Sequence, residues 1–218
     1  MKSVLAFGDS LTWGYDPHPE GMRHGPDGRW PLVLEKELDG CARVVEEGLS
    51  GRTTCHDSGF LQHHNGLKAL PMLLQSHLPL DLVIIMLGTN DLQAHIGSSA
   101  FNAARGVHRL IHCVRTTVFE QQTMRYPDMK QPEILIVSPP RMIRSETVIR
   151  KYFGDEAPTI DEMRDEYQKV ANVEDVHIEH ASDYCEPSEH DGVHMSAEET
   201  AKLGRALAPT VKSILNLA

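Results

Sequence analysis

The feature that most constrains this fold is Leu82-Val83-Ile84-Ile85-Met86-Leu87, a run that is apolar throughout yet only as long as a strand. A strand with one wet face alternates apolar and polar residues, whereas an unbroken run is covered on both faces, as in a parallel sheet clad with helices. Shorter runs of the same kind recur at residues 4–7, 43–45, 134–137 and, more weakly, 176–178. Segments with helical spacing separate them. Residues 30–38 form one, ahead of Gly40, and Ser98 can cap another running through Val107, Leu110, Ile111 and Val114. Ser196 and Glu199 form a capping-box pair ahead of a last helix expected to end near Leu217. This alternation predicts an α/β fold, a three-layer α/β/α sandwich around a mostly parallel five-stranded sheet.

With 218 residues, 40% of them hydrophobic, the chain can bury a full core, and no repeat or linker divides it, so one domain over residues 1–218 is expected. A formal net charge of −10 argues against a nucleic-acid partner, because phosphate binding draws on clustered Lys and Arg. No apolar run approaches the ~18 residues that would span a membrane, so no membrane partner is expected. The apolar start at residues 4–7 is too short for a signal peptide and reads as a first strand, which implies a cytoplasmic location. Cys41, Cys55, Cys113 and Cys185 are scattered, a pattern that favours reduced thiols. Residues 15–28 and 141–156 fit neither strand nor helix; long loops in a compact fold are usually functional, and both are expected to rise around the site.

In an open parallel sheet, ligands sit beyond the carboxyl ends of the strands, so the residues after each strand carry the functional information. The first strand leads into Gly8-Asp9-Ser10-Leu11-Thr12, a sharp turn that presents a hydroxyl. After the second comes Gly48-Leu49-Ser50-Gly51-Arg52-Thr53, and after the third Gly88-Thr89-Asn90-Asp91, which brings a side-chain amide. Beyond the fifth, Asp191-Gly192-Val193-His194 places a carboxylate three residues before an imidazole. A serine needs a base to lose its proton, and the base needs a carboxylate to hold its tautomer. The developing oxyanion needs donors, which a glycine N–H and an Asn amide can supply.

These four segments resemble, in order and spacing, the conserved blocks of the SGNH (GDSL-type) hydrolases: Phe7-Gly8-Asp9-Ser10-Leu11, Leu49-Ser50-Gly51, Gly88-Thr89-Asn90-Asp91 and Asp191-Gly192-Val193-His194. The resemblance implies a flavodoxin-like sandwich with Ser10, Asp191 and His194 as catalytic residues. It also implies an oxyanion hole from the N–H groups of Ser10 and Gly51 and the amide of Asn90. Flanking residues such as Ser10-Leu11-Thr12-Trp13-Gly14-Tyr15 look like the arylesterase and acyltransferase (perhydrolase) branch, whose members cleave short-chain aryl and alkyl esters. Some of them pass the acyl group to alcohols or peroxide, and those with strong transfer carry Ala where this chain has Gly51. The branch is often oligomeric, which implies a homo-oligomer, and its small-molecule ester chemistry requires no cofactor and no metal.

The same resemblance implies that Trp13 stands near the acyl or alcohol pocket, although a tryptophan beside a βα turn is often core. Asp9 and Asp91 are expected to organise their turns by hydrogen bonding. Thirteen histidines invite a metal reading, and His108 and His112 stand at i,i+4 spacing, but no HExxH occurs and no metal site is expected. Two other functions compete. A deacylase of acetylated sugars, lysophospholipids or thioesters would use the same residues, with the two loops selecting substrate. A mononucleotide-binding module is disfavoured, because neither GxGxxG nor GxxxxGK[ST] is present.

Overall fold

The computed structural model describes residues 1–18, 22–143, 152–153 and 160–217. Five strands, β1 (Lys2–Gly8), β2 (Ala42–Gly48), β3 (Leu82–Met86), β4 (Glu133–Ser138) and β5 (His177–His180), form one sheet in the order β2-β1-β3-β4-β5. Every pairing is parallel, so the sheet expected to be mostly parallel is wholly so. The chain steps outward from β1 in both directions, and this reversal opens a crevice at the carboxyl ends of the central strands.

Alternation along the strands divides the core into two layers. Leu5, Phe7, Val83, Ile85, Ile134 and Ile136 face helices α3 (Gly66–His77), α4 (Ala100–Met124) and α5 (Ile160–Glu174). Val4, Ala6, Leu82, Ile84, Met86, Leu135 and Val137 face α2 (Trp30–Glu37) and α6 (Ala197–Leu215). All five residues of β3 are buried, which is why that segment reads as uniformly apolar.

Local chemistry sets the helix ends, with small departures from expectation. Ser99, not Ser98, caps α4, its side chain accepting the N–H of Asn102 at 3.2 Å. The Ser196 hydroxyl accepts from Glu199 N–H at 3.3 Å, but the return half of the capping box is missing. The Glu199 carboxylate instead takes the N–H of Glu186 at 3.0 Å and pairs with Lys202, so it ties the loop after β5 to α6. Asn216, in the left-handed conformation, stops α6 after Leu215, two residues earlier than expected. The four cysteines are unpaired. Among the described residues no helix is long and apolar enough to cross a membrane.

Candidate active site

Strand β1 hands the chain to Asp9, whose carboxylate caps the single turn α1 (Ser10–Trp13) by accepting Leu11 N–H at 2.9 Å. Gly14 (φ 85°) ends that turn, and Tyr15 N–H returns to the Ser10 carbonyl at 3.0 Å. Ser10 is thereby held at the sheet edge, only 6% exposed. Across the crevice, Asp191 Oδ1 accepts the N–H groups of Val193 and His194, both at 2.9 Å, which folds the segment before α6 into a tight turn. That turn leaves Asp191 Oδ2 2.6 Å from His194 Nδ1, and His194 Nε2 2.9 Å from Ser10 Oγ. Burial pushes the Asp191 carboxyl up, but the hydrogen bond from His194, its charge and the two backbone donors outweigh that and hold it below the usual range.

The second and third segments close the array. Gly51 (φ 83°) adopts a conformation that side chains resist. Among the described residues, no acceptor takes the N–H of Ser10 or of Gly51. Asn90 sits in a 3₁₀ turn after β3, with Nδ2 donating to Arg52 O at 3.1 Å and Asp9 Oδ2 at 3.2 Å. A backbone carbonyl can only accept, so the contact to Arg52 O fixes which end of the Asn90 amide is nitrogen. Asp9 is wholly buried, and burial lifts its pKa to about 7 against the hydrogen bond from Leu11 and the charges of His194 and Arg52. Asp91, buried and bound by the N–H and hydroxyl of Thr54, is lifted to about 6 for the same reason.

Ser10, Gly51, Asn90, Asp191 and His194 all line one cavity of about 370 Å³. Trp13 does not. The tight return after Gly14 puts Tyr15 in that wall instead, its ring 4.3 Å from the His194 ring, while Trp13 is half-buried with Arg23 5.3 Å above it. The rest of the described wall includes Gln93, Tyr152, Phe153 and Val193. Both long loops therefore reach the site, Tyr15 from the first and Tyr152 and Phe153 from the second; their residues 19–21, 144–151 and 154–156 lie outside the described ones. His24, from the first loop, is buried with Nε2 3.0 Å from Met195 O, beside His194.

Sequence reasoning also missed Gln93 and Arg52. Gln93 Nε2 donates to Asn90 Oδ1 at 2.7 Å; its three-residue spacing from Asn90 was the available signal. Arg52 is 5% exposed, donates to Gly8 O at 2.8 Å and to Glu47 O, and lies 4.4 Å over the Phe7 ring. Burial lowers its pKa to about 10. One buried cation thus joins the ends of β1 and β2, and no local pattern announces it.

A parallel α/β/α sandwich with Ser, His and Asp aligned at its carboxyl edge defines a hydrolase class of fold. The chain matches the model of the GDSL-like lipase/acylhydrolase family over residues 6–199 and belongs to that family. A solved carbohydrate acetylesterase family member from Sinorhizobium meliloti is 38% identical, with 100% of both chains covered and a TM-score of 0.92. The native aryl esterase of M. smegmatis is 35% identical over 98% of this chain and 100% of its own, with a TM-score of 0.91. A second carbohydrate acetylesterase from S. meliloti is 35% identical over the same shares, with a TM-score of 0.90. No curated protein sequence matches the chain. Family and neighbours together make it a carboxylic ester hydrolase.

Proposed function

We propose that the protein hydrolyses small esters with short acyl groups through an acyl-enzyme on Ser10. The observation that carries this reading is the unbroken line from Asp191 Oδ2 through His194 to Ser10 Oγ, at 2.6 and 2.9 Å. His194 Nε2 accepts the Ser10 proton as Oγ attacks the ester carbonyl, and Asp191 stabilises the imidazolium. The N–H groups of Ser10 and Gly51 receive the oxyanion together with Asn90 Nδ2, which exchanges one of its two long hydrogen bonds for this one. His194 then protonates the leaving alkoxide, and water repeats the sequence on the acyl group. Where an alcohol or peroxide takes the place of that water, the same steps give acyl transfer.

The cavity supports the choice of substrate. At about 370 Å³ it lies near the small end of ligand sites, roughly 300–1,000 Å³, and Tyr15, Tyr152, Phe153 and Val193 give it apolar walls. Hydrolysis of para-nitrophenyl acetate, butyrate and octanoate, with Ser10→Ala alongside, tests the reading. Activity should fall with chain length and vanish in the variant. A wild type no faster than Ser10→Ala on all three would overturn it. Acetylated carbohydrates are the second reading, favoured by the acetylesterase neighbours; acetate release from a peracetylated sugar distinguishes it.

A further inference from the structure

Away from the cavity, the structure gathers three metal-ligating side chains that the ester chemistry does not use. His108 and His112 project from one face of α4, their rings 4.6 Å apart. Glu174 ends α5, and its Oε1 lies 2.8 Å from His108 Nε2 and 3.3 Å from His112 Nε2. All three ligand atoms fall within 4.8 Å of one another. Glu174 ends α5 just before β5 begins, at the amino edge of the sheet and so at the edge opposite Ser10.

The environment of Glu174 is unusual for a simple surface acid. Its side chain is only 8% exposed, and it occupies a helix C-terminus, where the backbone dipole disfavours an anion. Arg115 takes the other oxygen, Oε2, at 2.5 Å and the Glu174 carbonyl at 2.7 Å, so the carboxylate is fixed with Oε1 turned to the two imidazoles.

We propose that His108, His112 and Glu174 form a binding site for a transition-metal dication, with zinc as the best-fitting ion. Zinc binds imidazole nitrogen and carboxylate oxygen at about 2.0–2.2 Å, and in a tetrahedral shell such ligands stand roughly 3.3 Å apart. The observed separations of 2.8 and 3.3 Å to Oε1 need little adjustment to meet that. The two nitrogen ligands select zinc over calcium or magnesium, which take oxygen. The His112 side chain is 56% exposed, so water can reach the site to complete the shell. On binding, each imidazole presents an unprotonated Nε2 and keeps its proton on Nδ1; an imidazolium must first release one proton. The bound ion clamps the end of α5 to the middle of α4.

The competing reading is a bare ion-pair cluster, and His112 separates the two. Its side chain is 56% exposed and its contact with Glu174 is the longer one, so His112→Ala leaves the metal-free fold nearly unchanged. Zinc chloride is titrated by calorimetry into the full, metal-free chain, with unfolding temperatures recorded alongside. Wild type should take up one saturable equivalent and unfold about 5 °C higher at a hundredfold excess over the dissociation constant. His112→Ala and Glu174→Gln should lose both effects. No saturable equivalent in wild type, or an unchanged one in His112→Ala, would overturn the proposal; the second outcome would place the ion elsewhere among the histidines.

Discussion

Gln93 Nε2 donates to Asn90 Oδ1 at 2.7 Å, so a residue outside every recognisable motif orients the amide that faces the cavity. Gln93→Leu removes that donor while leaving Asn90 its contact with Arg52 O. The expected result is a kcat about 10-fold lower with KM little changed, against a loss of about 10²–10³ in kcat for Asn90→Ala. Steady-state kinetics on a short-chain ester check both; a kcat unaltered by Gln93→Leu would show that Asn90 is held without it.

Both oxygens of Asp191 are in use, one on His194 Nδ1 and one on two backbone N–H groups. Asp191→Asn preserves the turn only if its oxygen keeps the backbone donors, which aims the new NH₂ at the imidazole. The ring must then carry its proton on Nε2, the atom that should accept from Ser10. Activity should fall about 10³–10⁴-fold with the unfolding temperature nearly unchanged. Parallel rate and thermal-unfolding measurements would show it.

Asp9 and Asp91, lifted to about 7 and about 6, make stability depend on pH with a definite sign. Between the ordinary carboxylate range and pH 7 the folded chain holds protons that the unfolded chain has released, so stability falls as pH rises through that window. The slope from one such group is at most about 1.4 kcal/mol per pH unit. Asp9→Asn keeps an oxygen for Leu11 N–H and removes the titration. Its urea midpoint should decline less than that of wild type from pH 4 to pH 8.

Arg52 holds the ends of β1 and β2 through Gly8 O and Glu47 O. Arg52→Met keeps most of the stem's packing on Phe7 but loses the charge-assisted hydrogen bonds, at a cost of about 2 kcal/mol in denaturant unfolding. Because Arg52 O also accepts from Asn90, activity should drop further than the small loss of folded fraction explains.

The sheet and the array around Ser10 were legible because both depend on short-range pattern. The uniform apolarity of residues 82–87 signals a strand covered on both faces, and β3 is just that. Asp191 and His194 were legible as a pair because three residues suffice for the turn that joins them. Which of two nearby rings reaches the cavity was not legible, because the reversal at Gly14 decides it: Tyr15 lines the described wall and Trp13 lies half-buried beside it. Residues such as Ser98 and Leu217 erred by only one or two positions, since neighbouring serines compete to cap and Asn216 reaches the left-handed region unaided.

By itself, then, the sequence determined which residue types stand at the end of each strand and therefore the parallel layered fold and the family. Those are local matters of periodicity and turn chemistry, written within a few residues. Tertiary structure alone decided the 2.9 Å approach of Ser10 and His194 across 184 positions, the burial of Arg52 over the Phe7 ring, and the meeting of Glu174 with two histidines of α4. Such contacts arise when packed layers bring distant segments together, and the energy that selects them resides in desolvation and hydrogen bonding that no local stretch of chain contains.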